Sequence, residues 1–265
     1  MPKFSISVLV LLFFVSFFGS FFYTTDAYHL NAGSILLPPS QEHIFGTDRL
    51  GRDMLARLIE GGKISLIIGV GSAFIASFVG LIIGSMAGYF RGGVDKGFVI
   101  VVDLFLTFPT FFLLLALVSY VNASTWVLIF IISVTGWMTT ARLVRSESFK
   151  ITSQPFIKIL NIAKISKIKI LFKYYTPILA PIFLVGFTFG VGGAILSESA
   201  LSFLGLGIVA PQMSWGTILS DGKDVIEIAW WVSFFPGLMI FLITLSLINI
   251  SNYLQQLTNQ KQIQN

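Results

Sequence analysis

The chain has 265 residues, 55% of them hydrophobic and 11% charged, with a mean hydropathy of +0.88. A soluble domain carries about 25% charged residues, so a soluble globular enzyme is excluded, and recurring apolar runs of about 18 residues or more mark a polytopic membrane protein. The net charge of +5 lies in segments between those runs, where the positive-inside rule accounts for it without nucleic acid, and the lack of cysteine excludes disulfides, thiol chemistry and cysteine-held metal.

Residues 1–3 are a minimal basic start, and 4–23 form an apolar run long enough to span a bilayer. Its core is longer than that of a secretory signal, so an uncleaved first span with a cytoplasmic N-terminus is expected. Residues 24–63 are polar and of mixed charge, and Pro38-Pro39 breaks any helix there. From Asp48 onward, Leu50, Met54, Leu55, Leu58 and Ile59 fall at helical spacing. With Thr47 or Asp48 as N-cap and Gly61-Gly62 as stop, the pattern predicts a short amphipathic helix on the outer surface or against the bundle.

The second span covers 64–89, where Gly80, Gly84 and Gly88 sit four apart, a spacing that lets helix backbones approach closely. A tight turn over 91–96 leads to a third span over 98–121, holding Asp103 and Pro109, and then a fourth over about 124–144. The stretch 141–177 is basic, with Arg142, Arg145, Lys150, Lys158, Lys164, Lys167, Lys169 and Lys173 against the single acid Glu147. A glycine-rich fifth span covers 178–196, followed by a semi-polar stretch over 198–211 and an outer loop over 214–226. The sixth span covers 228–250, with Trp230 and Trp231 as an interfacial belt, and a polar tail ends the chain.

Placing the N-terminus inside leaves only Arg49, Arg52, Arg57, Lys63 and Lys223 outside, and the other Lys and Arg residues inside. The expected architecture is therefore an all-α polytopic membrane protein with six transmembrane helices, N-in and C-in. It divides into residues 1–62 (first transmembrane helix and outer loop), 63–252 (transmembrane domain) and 253–265 (polar cytoplasmic tail). No phosphate-binding G-x-x-x-x-G-K-[ST] loop is present, His29 and His43 are isolated, and no Ser/His/Asp arrangement is visible. Neither a catalytic site nor a metal site is expected. Asp103 and Glu198 lie in or near spans, where ionisable groups are functional candidates, the alternative being an interfacial position or pairing with a neighbouring helix.

Several stretches occur together and in order: HIFGTDRLGRDMLARLIEGGKISLIIG, AGYFRGGVD, VDLFLTFP, ARLVR, and SESALSFLGLG followed by SWGTILSDG and FFPGLMIFL. Through them the chain resembles, from about His43 to Asn252, the inner-membrane permease subunits of ABC importers for dipeptides, oligopeptides and nickel, specifically the C-type permease of the pair. The resemblance implies a multi-pass protein of the cell inner membrane that forms a heterodimer with a second permease. Two cytoplasmic ATPases would bind beneath it and an extracytoplasmic solute-binding protein above it. ATP and magnesium would be bound by the ATPases, with no cofactor in this chain. The expected solute is a peptide, with nickel as the alternative.

In such subunits a short cytoplasmic coupling helix before the fifth span contacts the ATPase, with the pattern Glu-Ala-Ala, a Gly four residues later and a Pro beyond. Here the helix is expected to begin near Pro155, with Phe156, Ile157, Ile159, Leu160 and Ile162 as the knob. The Glu-Ala-Ala positions hold Lys158, Ile159 and Leu160, and the Gly position holds Lys164. A left-handed turn at a Lys costs about 1 kcal/mol relative to Gly. For the outer segment containing Asp48, Arg49, Arg52 and Asp53 the resemblance implies a gate or binding-protein-facing element, the alternative being a capped surface helix, with its charges pairing with one another along that helix. An ion-coupled carrier working alone would call for internal repeats, and none is visible. A membrane anchor without transport is the third reading.

Overall fold

The computed structural model describes residues 2–263. They form α1 (Lys3–Phe22), α2 (Met54–Phe90), α3 (Gly92–Thr107), α4 (Thr110–Val118), α5 (Thr125–Thr152), α6 (Pro155–Ile162), α7 (Lys167–Ile170), α8 (Thr176–Phe203), α9 (Trp215–Gly222) and α10 (Trp231–Ile263). Five helical paths are long and apolar enough to cross a membrane: α1, α2, α5, the continuous run Lys167–Phe203, and α10. A sixth exists if the bent pair α3–α4 counts as one span. The bend is 79°. It has a local cause: Pro109 supplies no backbone N–H, and Phe108 before it is held extended at φ −90°, ψ 135°.

The boundaries depart from the sequence expectation in five places. No separate surface helix covers 48–59. Residues 47–53 form a turn closed by the single Thr47–Asp53 bridge, Asp53 is the N-cap, and α2 then runs unbroken through Gly61-Gly62 for 37 residues. Those two glycines are contact points rather than a stop. A Cβ on Gly62 would sit 2.3 Å from Ser16 Oγ of α1 and 2.9 Å from Trp215 Cζ2, and one on Gly61 would sit 2.9 Å from Ile218.

At the cytoplasmic side, Arg91 and Gly92 take φ +55° and +56°, so α3 starts at Gly92 and the turn is shorter than expected. The helix α5 continues past 144 to Thr152, so Arg142, Arg145 and Lys150 ride on a helix and not in a loop. The fifth span extends to Phe203, which puts Glu198 inside it. It stops at Gly205 (φ +81°), where the Leu206 amide bonds the Leu201 carbonyl and the Gly205 amide that of Ser202, a Schellman end. The helix α10 runs through most of the expected polar tail, whose last two residues lie outside those described. Trp231, expected at the interface, is buried and donates from Nε1 to the Thr47 carbonyl at 3.0 Å.

The pair α2–α5 is the spine of the bundle. Their backbones meet where α2 has no side chain. A Cβ on Gly84 would lie 2.5 Å from the Ala141 carbonyl oxygen, one on Gly80 2.8 Å from that of Trp137, and one on Gly88 2.4 Å from Ser148 Cβ. Ser148 and Thr152 then reach back across the seam to the carbonyls of Ser85 and Gly88. Close approach of this kind replaces the hydrophobic driving force that helices lack in lipid. Against this spine pack α8 and α10, and α1 lies outside on α2 and α10 with most of its phenylalanines exposed.

Gly84→Ala should destabilise the purified protein by about 1–3 kcal/mol, because the opposing atom is backbone and cannot rotate away. Gly93→Ala, with nothing within 4 Å of its Cβ, should leave the melting temperature unchanged in the same detergent.

Candidate functional site

Between α2, α4, α5 and α8 lies a half-open groove of about 800 Å³. Its walls follow from helix periodicity: Ser72, Ala76 and Ser77 of α2 face Thr135, Gly136 and Thr139 of α5, and Gly186, Gly190 and Gly193 of α8 close the far side. Small side chains leave the volume, and hydroxyls furnish hydrogen bonds without net charge. Among the described lining residues Arg142 is the one charged group. It is bonded to Asp103 of α3, and both side chains are half exposed. Asp103 is therefore paired rather than isolated. One turn on, Arg145 grips Asp95 with two hydrogen bonds, the Nη2 one at 2.8 Å, and lies over the rings of Phe149 and Phe98. Two arginines of α5 thus hold α3, beside an apolar cluster of Phe98 and Val102 with Met138 and Ala141.

Glu198 is fully buried in α8 near the outer end of the bundle. Its Oε1 accepts from Ser202 Oγ at 2.6 Å and from Ser214 Oγ at 2.6 Å. Ser214 is also the N-cap of α9 and forms a capping box with Thr217. The carboxyl group thereby fastens α9 to α8, which is the structural role that its sequence position left open.

The outer charges meet in two clusters, not along one helix. Asp48 is buried and accepts from the backbone amides of Leu50 (2.8 Å) and Arg52 (3.0 Å), from Arg52 Nε (2.7 Å) and from Arg57 Nη1. Arg57 donates in turn to Asp221 of α9 at 3.0 Å. Arg57 was not among the expected site residues. Its signal was present, a cation inside an apolar helical repeat, but its partner lies 164 residues away in sequence. Asp53 belongs to a second cluster, where it caps α2 through Ala56 N and accepts from Tyr23 Oη (3.0 Å) and bonds His43 Nδ1 (2.9 Å). Arg49 faces solvent and pairs with Asp224 at 3.1 Å. Burial pushes the Asp48 carboxyl up, but Arg57, Arg52 and the two amides outweigh it and hold it below the usual carboxylate range.

On the cytoplasmic side α6 begins at Pro155, as the sequence predicts, two residues after α5 ends at Thr152 and its cap Ser153. Its residues divide by face. Ile157 is fully buried and Leu160 partly so, in a cluster with Tyr89, Ile170, Tyr175 and Leu179. They hold α6 to the bundle and are not free to act as a knob. Phe156, Ile159 and Ile162 are 38%, 64% and 81% exposed, and Lys158 lies beside them. Lys164 takes φ +54°, the left-handed turn, with Lys164 N bonded to Asn161 O and Ile165 N to Leu160 O. Leu160 and Ile165, at the two ends of the motif, both pack against the same cluster and hold the turn.

A sequence model of the family described as binding-protein-dependent transport system inner membrane component matches residues 80–263. The chain belongs to that family. This permease is 33% identical over 230 residues to the oligopeptide transport system permease protein OppC of Bacillus subtilis, covering 87% of this chain and 75% of that one. It is 34% identical over 236 residues to the dipeptide transport system permease protein DppC of the same organism, covering 89% and 74%. Among solved structures, a chain of the MetNI methionine ABC transporter in inward-facing conformations superposes with a TM-score of 0.59 at 16% identity, covering 76% of this permease and 96% of that chain. At that identity the likeness concerns the fold. The matched relatives are transport permeases, and the permease is a multi-pass component of the inner membrane.

Asp48→Asn should leave the buried Arg57 with Asp221 as its remaining acidic partner, seen as a lower melting temperature at neutral pH. Because the folded carboxyl titrates below the unfolded one, its contribution is complete above the ordinary carboxylate range and is lost as pH falls through the depressed value. The gap between wild type and Asp48→Asn should therefore close on acidification, as read by thermal melts across pH.

Proposed function

We propose that this permease supplies half of the translocation pathway of an ATP-driven peptide importer, with the α2–α5–α8 groove as its share of the path. The observation that carries the reading is the groove's chemistry. Hydroxyls and glycines line it among apolar side chains such as Leu114, Ile132 and Phe189, and its charged residue is already paired. Such a surface hydrogen-bonds a peptide backbone, which every peptide has, and makes no demand on side-chain charge. The names of the relatives, oligopeptide and dipeptide permeases, agree with it.

The open side of the groove takes a second permease of similar fold, and ATP is bound and hydrolysed by separate cytoplasmic subunits. The outward face of α6 (Phe156, Lys158, Ile159 and Ile162) is their docking surface, and the outer clusters around Asp48 and Asp53 face an extracytoplasmic binding protein. Movement of α6 passes to α5 across the short Ser153-Gln154 link, and from α5 to α3 and the groove wall through Arg145–Asp95 and Arg142–Asp103.

Membranes carrying a tagged copy should yield a second permease and ATP-binding subunits on purification. Proteoliposomes of that assembly should take up labelled di- or oligopeptides only with ATP and the binding protein. Uptake by this chain alone without ATP would refute the reading. Ile159→Asp should reduce recovery of the ATPase subunits about tenfold while leaving the melting temperature of the permease unchanged. Ile157→Asp should instead lower that temperature, since it places a charge in the cluster that holds α6.

A further inference from the structure

The run Lys167–Phe203 is a continuous helical path of 37 residues. At 1.5 Å per residue that is about 55 Å, against about 30 Å of bilayer hydrocarbon and 40–45 Å with headgroups. Its outer end is fixed where Glu198 bonds Ser214, so its first turns, α7 and the π-helical turn Leu171–Tyr175, fall in the cytoplasmic headgroup layer.

These turns carry three faces. Ile170 and Tyr175 are fully buried against the bundle. Ile168 and Phe172, four apart, are 69% and 66% exposed. Lys169 and Lys173, also four apart and next to that pair, are exposed, and neither has an ion-pair partner among the described residues. Lys167 lies with Nζ 5.5 Å from the centre of the Phe90 ring, at the end of α2. No Asp or Glu occurs between Glu147 and Glu198, so nothing within the segment neutralises these charges. An apolar stripe beside a basic stripe, continuous with a membrane span, matches the boundary between acyl chains and anionic headgroups.

We propose that residues 166–175 form a binding site for anionic phospholipid of the cytoplasmic leaflet. Lys169 and Lys173 hold the headgroup phosphate, and Ile168 and Phe172 enter the acyl boundary. The site is separate from the outward face of α6, which ends at the Lys164 turn. It anchors the C-terminal root of α6 at a fixed depth in the membrane.

The probe is phosphatidylglycerol retained by the intact assembly after extraction into mild detergent, counted per chain by native mass spectrometry. Lys169→Gln with Lys173→Gln should reduce retention roughly tenfold. The Lys169→Arg, Lys173→Arg pair should retain it, and Lys150→Gln, whose lysine is bonded to Glu147, should match wild type. Equal retention by the double Gln variant, or an equal loss with Lys150→Gln, would overturn the proposal. A photoreactive group at Phe172 that labels only a protein subunit and no lipid would also overturn it. None of these readouts depends on transport, so a failed peptide-uptake assay would leave them intact.

Discussion

Everything in this molecule that could move or bind hangs on the contact between α2 and α5, where glycine lets one backbone lie on another. That contact decides the positions of the groove on one flank of the seam and of α6 at its cytoplasmic end. Gly80, Gly84 and Gly88 leave room only for backbone, and the hydroxyls of Ser148 and Thr152 close the seam with bonds to carbonyls opposite. Packing of this kind is stiff, because small residues have no rotamers with which to absorb a shift. A stiff pair suits the transmission of displacement proposed above.

The charges are distributed with equal economy. Within the groove the described surface is neutral except for Arg142, which is tied to Asp103. The ionised groups gather at the two ends. On the outside, Asp48, Arg57 and Asp221 join the outer loop to α2 and α9. On the inside, Arg145 and Arg142 join α5 to α3. The proposed peptide path would be served by this arrangement, since a fixed charge at mid-depth would attract some side chains and repel others.

Much of this was legible in the sequence. Apolar run length placed the spans, four-residue glycine spacing marked the α2 seam, and the Pro155 start of α6 was read correctly. What escaped had physical reasons. Gly61-Gly62 looks like a helix stop, yet in a bundle its missing side chains admit Ser16 and Trp215; a single sequence does not distinguish a terminator from a contact. Arg57 lay inside an apolar repeat, and only tertiary structure brings Asp221 to it. Ile157 and Ile159 are alike as letters, and their opposite orientations depend on how α6 rolls against Tyr89 and Tyr175. The left-handed conformation at Lys164 is strained for a non-glycine residue, and the structure holds it with Leu160 and Ile165 packed against the core cluster on either side.

The kink between α3 and α4 also has a meaning for the chain as a whole. At Phe108 and Pro109 the helical ladder is interrupted, since Pro109 brings no N–H to the last turn of α3. Phe108 and Phe112 beside it point outward and are largely uncovered. Hydrocarbon does not tolerate open backbone of this kind; another protein or enclosed water must cover it. By its own hydrogen-bond accounting, then, the kink is a place where a membrane-embedded chain needs cover, from protein or from water.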